Sequence, residues 1–168
     1  CDASVNIPIT VAQSSGGQAC GVIYCSGSGN DSNDGTSMHP VKTLTKALTL
    51  ATGGTASNPV VIRMASGTYN ISAPVNLRSN VIIDGQWDAN TTSGVWTKGT
   101  IATIINRTAT SPEGGTTMPR ITAIECNGIS NFKLQDIKIT TSDAPANSSS
   151  TGYFGVSTYA VHMNGCSG

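Results

Sequence analysis

The feature that most limits how this chain can fold is a recurrence in its second half. Ala123-Ile-Glu-Cys-Asn-Gly-Ile-Ser130 reads against Ala160-Val-His-Met-Asn-Gly-Cys-Ser167 at an offset of 37, and Ser79-Asn80-Val81 reads against Ser130-Asn131-Phe132 at an offset of 51. Strand, tight turn, strand, repeated with unequal insertions, is what a solenoid produces when each rung stacks on the last. Apolar side chains then point into the stack, and an Asn at one turn can hydrogen-bond the Asn of the next. Residues 86–100, 107–119 and 141–158 become loops leaving irregular coils.

Composition agrees with such a chain. It holds 20 Ser, 22 Thr, 13 Asn and 19 Gly in 168 residues, the currency of turns and strands, with only 11% charged residues and a formal net charge of +0. A neutral chain without a basic run has nothing with which to displace counterions from a phosphate backbone, so nucleic acid is not an expected partner. No apolar run approaches the ~20 residues of a membrane span.

Three segments follow from the local patterns. Residues 1–20 form an N-terminal arm in which Val5, Ile7, Ile9 and Val11 alternate as on a half-buried strand, and Pro8 makes it an edge strand. Residues 21–58 hold a strand at 21–25, a loop at 26–35 and a helix over 40–51, where Val41, Leu44, Leu48 and Ala51 share one face and Gly53-Gly54 stops the turn. Asp31 and Asp34 in the loop lack the downstream Glu of a calcium loop and read as turn chemistry. Residues 59–168 hold short strands at 60–64, 74–77, 81–83, 101–105, 121–126, 132–139 and 159–163.

At this level of detail the stretch Val22-Ile-Tyr-Cys-Ser-Gly-Ser-Gly-Asn-Asp-Ser-Asn-Asp-Gly-Thr-Ser-Met-His-Pro-Val-Lys-Thr-Leu-Thr-Lys-Ala-Leu48 resembles the opening segment of right-handed parallel β-helix proteins of the pectin-lyase-like superfold. Val61–Tyr69 is similar to their first rung and Leu77–Gly85 to the next face, and the resemblance covers residues 21–168. It implies an all-β fold, a right-handed parallel β-helix with an N-terminal capping helix and an N-terminal edge strand. The superfold includes polysaccharide lyases, glycoside hydrolases, phage tailspikes, adhesins and surface proteins without known role, so it fixes no activity.

Catalysis in such proteins rests on clustered acids, with calcium and a basic residue in lyases or two or three Asp on adjacent rungs in hydrolases. Asp84, Glu125 and Asp136 are the acids in or beside the rungs, and the offset does not stack Asp84 on Asp136. Glu125 does align with His162 one rung away, a weak candidate acid–base pair whose commoner meaning is two neighbouring polar residues on a sheet face. No family motif carries a catalytic residue across, and no cofactor or metal is implied. Trp87, Trp96, Tyr153, Phe154 and Tyr159 flank the inserted loops and either stack on sugar rings or fasten those loops down.

Cysteines and sequons speak to location. Cys1, Cys20 and Cys25 cluster around a Ser-Ser-Gly-Gly turn and are candidates for a bridge, while Cys126 and Cys166 also read as small buried hydrophobes. Asn30, Asn70, Asn90, Asn106 and Asn147 each start an Asn-x-Ser/Thr sequon. The expectation is a secreted or surface-exposed, glycosylated structural or adhesive protein that self-associates head-to-tail or joins other surface proteins. It reaches its partner through coil ends or through Val5, Ile7, Ile9 and Val11. The rung beginning near residue 159 has no polar cap, so either more coils or another molecule would complete it. The alternatives are the N-terminal part of a carbohydrate-active enzyme and a glycan-binding module.

Overall fold

A computed structural model describes residues 21–108, 111–114, 118–145 and 155–167. The expected edge strand with Val5, Ile7, Ile9 and Val11, together with Cys1, Cys20, Asn147, Tyr153 and Phe154, lies outside the described residues.

The described residues are all-β with one short helix. In chain order the elements are β1 (Val22–Cys25), α1 (Leu44–Leu50), β2 (Val60–Ala65), β3 (Gly67–Ile71), β4 (Val75–Asn76), β5 (Val81–Asn90), β6 (Val95–Lys98), β7 (Thr103–Arg107), β8 (Arg120–Asn127), β9 (Lys133–Gln135), β10 (Ile137–Thr141) and β11 (Ser157–Asn164). They form three sheets: β1, β2, β5 and β9 with β6 attached, then β3, β7 and β10, then β4, β8 and β11. From β2 onward the chain visits the first, second and third sheet in that order three times. All strand pairings between successive visits are parallel, and the β5–β6 hairpin is the antiparallel exception among paired strands.

Both sequence offsets are strand registers. Val161 pairs with Ile124 and Asn164 with Asn127, 37 positions apart, while Ile82 pairs with Lys133, 51 positions apart. The repeated Ser-Asn corner has a conformational cause. Asn80 and Asn131 both sit in the left-handed region, at φ 60 and 53, which Asn tolerates better than other side chains. The paired Asn-Gly turns do the same with Gly128 and Gly165, at φ 60 and 63.

Alternation along β1, β2 and β7 sends one row inward. Val60, Ile62 and Met64 of β2 are buried while Val61 and Arg63 are half-exposed, and Ile83, Ile105, Ile124 and Cys126 join the same apolar cluster. Burying a side chain of this size contributes roughly 1.5–3 kcal/mol.

The helix is shorter than the expected 40–51 because its first residues are used differently. Val41 extends the first sheet, donating its N–H to the Tyr24 carbonyl and accepting from the Ser26 N–H, so helical geometry begins only after Thr43. Thr43 Oγ1 caps the Lys46 N–H at 3.1 Å. Asp31 accepts the N–H groups of Lys42 and Thr43 at 2.8 and 2.9 Å and the Thr43 hydroxyl at 2.8 Å. Leu44, Ala47 and Leu48 are then buried in the apolar cluster between the sheets.

Two further expectations are corrected. Residues 86–100 are a hairpin rather than a loop, with Trp87, Asp88, Ala89 and Asn90 opposite Lys98, Thr97, Trp96 and Val95. Asp, Ala and Asn are poor strand formers, which hid it. Residues 132–139 are two strands, because Asp136 at φ 54 turns the chain from the first sheet to the second.

Candidate functional site

The outward face of the first sheet gathers more chemistry than any single stretch of sequence displays. Register places Tyr24 beside Arg63, Arg63 beside Asp84 and Asp84 beside Gln135, one polar row across β1, β2, β5 and β9. The hairpin then folds Lys98 over this row. Its ammonium donates to Asp84 and to the Gly85 carbonyl, and lies 2.8 Å from Asp136 Oδ2. Trp87 Nε1 donates to Asp84 Oδ2 at 3.0 Å. The Arg63 guanidinium lies 4.2 Å from the Trp87 ring centre and donates to the Tyr24 hydroxyl at 3.3 Å.

Asp84 and Asp136 therefore meet although they are not in register. Asp84 pairs with Gln135, but the left-handed turn at Asp136 brings its carboxylate onto the same ammonium. Burial pushes the Asp84 carboxyl up, yet the hydrogen bonds from Lys98, Gln135 and Trp87 outweigh it and leave the group below the usual carboxylate range. Burial likewise lowers Lys98, and Asp136 and Asp84 together raise it above the ordinary lysine value. Both groups are held charged, an arrangement suited to fixing the hairpin and ill suited to proton transfer near neutrality. Lys98 was not legible as a member of this group, since nothing local marks it. Only the joint registers of four strands reveal it.

The two tryptophans fasten the hairpin. Trp96 is buried, donates Nε1 to the Ser37 carbonyl at 2.9 Å and packs on Tyr24 with ring centres 4.9 Å apart. Trp87 is flanked by Arg63 and by Lys98 at 5.2 Å.

Glu125 and His162 are brought together as the offset predicts, with Nδ1 2.8 Å from Oε1. Glu125 is buried, and the same oxygen also receives Asn127 Nδ2 at 3.2 Å and Arg120 Nη2 at 3.5 Å. Behind it Arg107, 3% exposed, donates to the Thr122 carbonyl and to Glu113. The pair is thus one contact in a polar network joining β7, β8 and β11.

Of the sequon residues, Asn70 and Asn106 stand in register on β3 and β7. Asn106 Nδ2 donates to Asn70 Oδ1 at 2.8 Å, and Thr140 of β10 donates to Asn106 Oδ1 at 2.8 Å. A glycan on Asn106 would replace one of the amide hydrogens available to that ladder. Asn30 and Asn90 are exposed and accept from Ser32 and Ser93 within their own turns.

Cys25 is a free thiol in the core, so the structure does not place it in the bridge expected among Cys1, Cys20 and Cys25. The alternation that makes β1 a strand points it inward. Burial, with Asp31 nearby, pushes it up to about 12. Cys126 and Cys166 are also free, and Cys166 Sγ donates to the Cys126 carbonyl at 3.1 Å.

Among the described residues no group of three or more His, Cys, Asp or Glu could hold a metal, and no helix is long and apolar enough to cross a membrane. Two shallow clefts of about 230 and 240 Å³ flank α1, one beside Gly21 and Asn58, the other beside Pro74 and Arg78. No curated protein matches the chain, and no solved structure matches it. A family described as a protein of unknown function, DUF1565, matches residues 27–153. That match covers most of the chain, including Arg63, Asp84 and Gln135 of the polar row and the Asn ladder, and on it the chain belongs to the DUF1565 family.

Proposed function

We propose that this chain forms the opening coils of a right-handed parallel β-helix and serves as a glycosylated structural or adhesive protein outside the cell or on its surface. The cyclic visiting of three parallel sheets supports the coil, as does the family, some of whose members are right-handed β-helices. The observation that carries the scaffold role is the use made of the coil's acids. Asp84 and Asp136 are bound to Lys98, and Glu125 to His162 and Arg120, so each joins one strand to another. The Asn70–Asn106–Thr140 ladder does the same with neutral groups. Among the described sequon residues, Asn30 and Asn90 are exposed and stand outside the Asn ladder, which suits them to glycans.

Two routes to self-association are legible in the sequence. Donation of residues 3–12 to a neighbour lies outside the described residues. Stacking of coils head-to-tail meets an obstacle, since α1 and Val41 already occupy the leading end.

Negative-stain electron microscopy of material from its natural source, with the intact mass of the dissociated chain, tests this reading. Surface-derived assemblies of chains heavier than 17.1 kDa by glycan increments are expected. An unglycosylated chain recovered from the cell interior overturns it.

A second reading, a glycan-binding face, is favoured by one observation: Tyr24, Arg63, Trp87, Gln135 and Asp136 lie together on the outward face of the first sheet. Side chains with π faces and paired hydrogen-bonding groups suit sugar hydroxyls and rings. A glycan array with the Trp87→Ala variant decides it, because binding lost in the variant establishes the face and an empty array removes it.

A further inference from the structure

Two of the free thiols stand on paired strands and are directed at one place. Cys126 of β8 is 0% exposed, and register sets it beside Met163 of β11. Beyond Met163 the later strand is clamped twice to the earlier one. The Gly128 N–H donates to the Asn164 carbonyl at 2.9 Å, and the Ser167 N–H donates to the Ile129 carbonyl at 3.1 Å. Between these clamps Gly165, at φ 63, turns the chain. Cys166 is therefore held from both sides. The register continued past Asn164 sets it over Ile129, yet its sulfur reaches back and donates to the Cys126 carbonyl at 3.1 Å.

That contact brings the Cys166 sulfur to within a side chain's length of the Cys126 sulfur. Both residues belong to the same apolar interior, Cys126 as a member of the core cluster and Cys166 packed against it. Burial, with the neighbouring Cys166 sulfur and Glu125 adding to it, pushes the Cys126 thiol up to about 11. Cys25 provides the contrast. It is equally buried, its sulfur faces the Lys42 carbonyl at 3.6 Å, and the charged neighbour that raises it is Asp31 rather than a second sulfur. The cysteine count points the same way, since Cys25 closed in the core leaves an even set from an odd total of 5. A thiol is a weak donor, so a covalent partner offers the Cys166 sulfur far more than the carbonyl does.

We propose that Cys126 and Cys166 form a disulfide that rivets β11 to β8, the reduced pair in this structure being its precursor. A small disulfide such as glutathione disulfide is the oxidant. The Cys166 thiolate attacks one of its sulfurs and expels a glutathione thiolate. Cys126 then gives up its proton and attacks the Cys166 sulfur of the mixed disulfide, expelling the second. On balance one S–S bond breaks and one forms, and the two electrons and two protons lost by the cysteines leave on two glutathione thiols. The bond spans 40 positions, a long loop for the unfolded chain to have closed. Its formation in nature rests on the location proposed above, because a reducing interior keeps such pairs open. The pairing itself rests on the geometry.

Glutathione equilibration tests it. The 168-residue chain is incubated folded, and separately refolded from urea, in mixed reduced and oxidised glutathione, then acid-quenched, alkylated in urea and digested with trypsin. Cleavage after Arg120, Lys133 and Lys138 puts Cys126 and Cys166 on separate peptides. The expected product joins those peptides and is lighter than their sum by two hydrogens, while Cys25 is alkylated. Cys1→Ala together with Cys20→Ala leaves the joined product in place. The urea midpoint of the oxidised chain lies above that of the reduced one, and Cys166→Ala abolishes the difference. Full alkylation of both thiols, or either one joined to Cys1, Cys20 or Cys25 instead, overturns the proposal. Slow amide exchange in β2 and β5 of the same samples shows that the sheets are formed, so open thiols then count against the bond and not against folding. The same digest on material from the natural source separates the two readings, because an open pair on a glycosylated chain removes the bond and leaves the location standing.

Discussion

At the leading end of the stack, the backbone of β1 is bonded outward: Tyr24 donates to the Gly35 carbonyl, Val41 donates to Tyr24, and Ser26 donates to Val41. Beneath α1 the apolar residues Ile23, Cys25, Leu44, Ala47 and Leu48 are 0–3% exposed. At the trailing end Leu134, Ile137, Ile139 and Val161 face the same interior but are only partly buried. Ile23 and Cys25 on β1 follow the same period-two alternation as Ile137 and Ile139 on β10. What differs is whether a further layer exists on the far side, so burial in a stacked fold belongs to the position in the stack and not to the side chain alone.

Truncating one isoleucine in each place would test that difference most severely. Ile83→Ala, at a 0% exposed position, is expected to cost about 4 kcal/mol, and Ile139→Ala about 1–2 kcal/mol, in urea unfolding of the monomeric chain. Equal losses would mean that the trailing end is as well covered as the leading one.

Next in size is the joint where β5 meets β7 and the corner between β9 and β10. A Cβ at Gly85 would stand 2.3 Å from the Asp136 carbonyl oxygen and 2.9 Å from Thr103 Cβ, contacts that force the backbone apart. Gly85→Ala should cost about 3 kcal/mol. Amide exchange should quicken in β9 and β10 and stay slow in α1 and β1.

The closure of the leading end depends on Asp31. Burial raises its carboxyl, but the bonds from Thr43 and Lys42 prevail and hold it below the ordinary 3.8. A group depressed in the folded chain stabilises it above pH 3.8 and loses that contribution as pH falls through the lower, folded value. Asp31→Ala should therefore cost about 1–2 kcal/mol at neutral pH, as for a lost cap, and flatten the acid limb of a stability–pH curve. An acid limb identical to that of the unaltered chain would show that the leading end is held by something else.

The smallest effect falls on the ladder that links β3, β7 and β10. Asn106→Ala removes one bond to Asn70 and one from Thr140, and about 1 kcal/mol should be lost. A loss confined to the trailing strands would place the ladder's weight there.

How much of this was readable beforehand depends on the range over which each signal acts. The Ser-Asn and Asn-Gly corners were visible because a left-handed residue is a local demand that leaves a local trace. Repeating that demand at each coil exposed two registers. The hairpin at 87–98 was hidden because its stability comes from Trp96 reaching Ser37 and Tyr24, far away in sequence. The helix was overextended for a related reason, since Val41 fits the helical face yet is recruited by β1. Glu125 and His162 were foreseen from one offset, whereas Lys98 needed four strands and a hairpin to be in place before its two aspartates came within reach.

The registers also show that this fold does not count residues between one visit to a sheet and the next. Val60 and Val81 pair across 21 positions, and Ile82 and Lys133 pair across 51, yet both end as neighbours in the same parallel sheet. The surplus leaves at corners, and the hairpin spends its share on a turn at 91–94 whose Thr92 and Ser93 are exposed. Sequence length is thereby decoupled from shape. That turn is a natural cargo site, where an epitope or an affinity tag can be carried outward while the stacked strands keep their alignment.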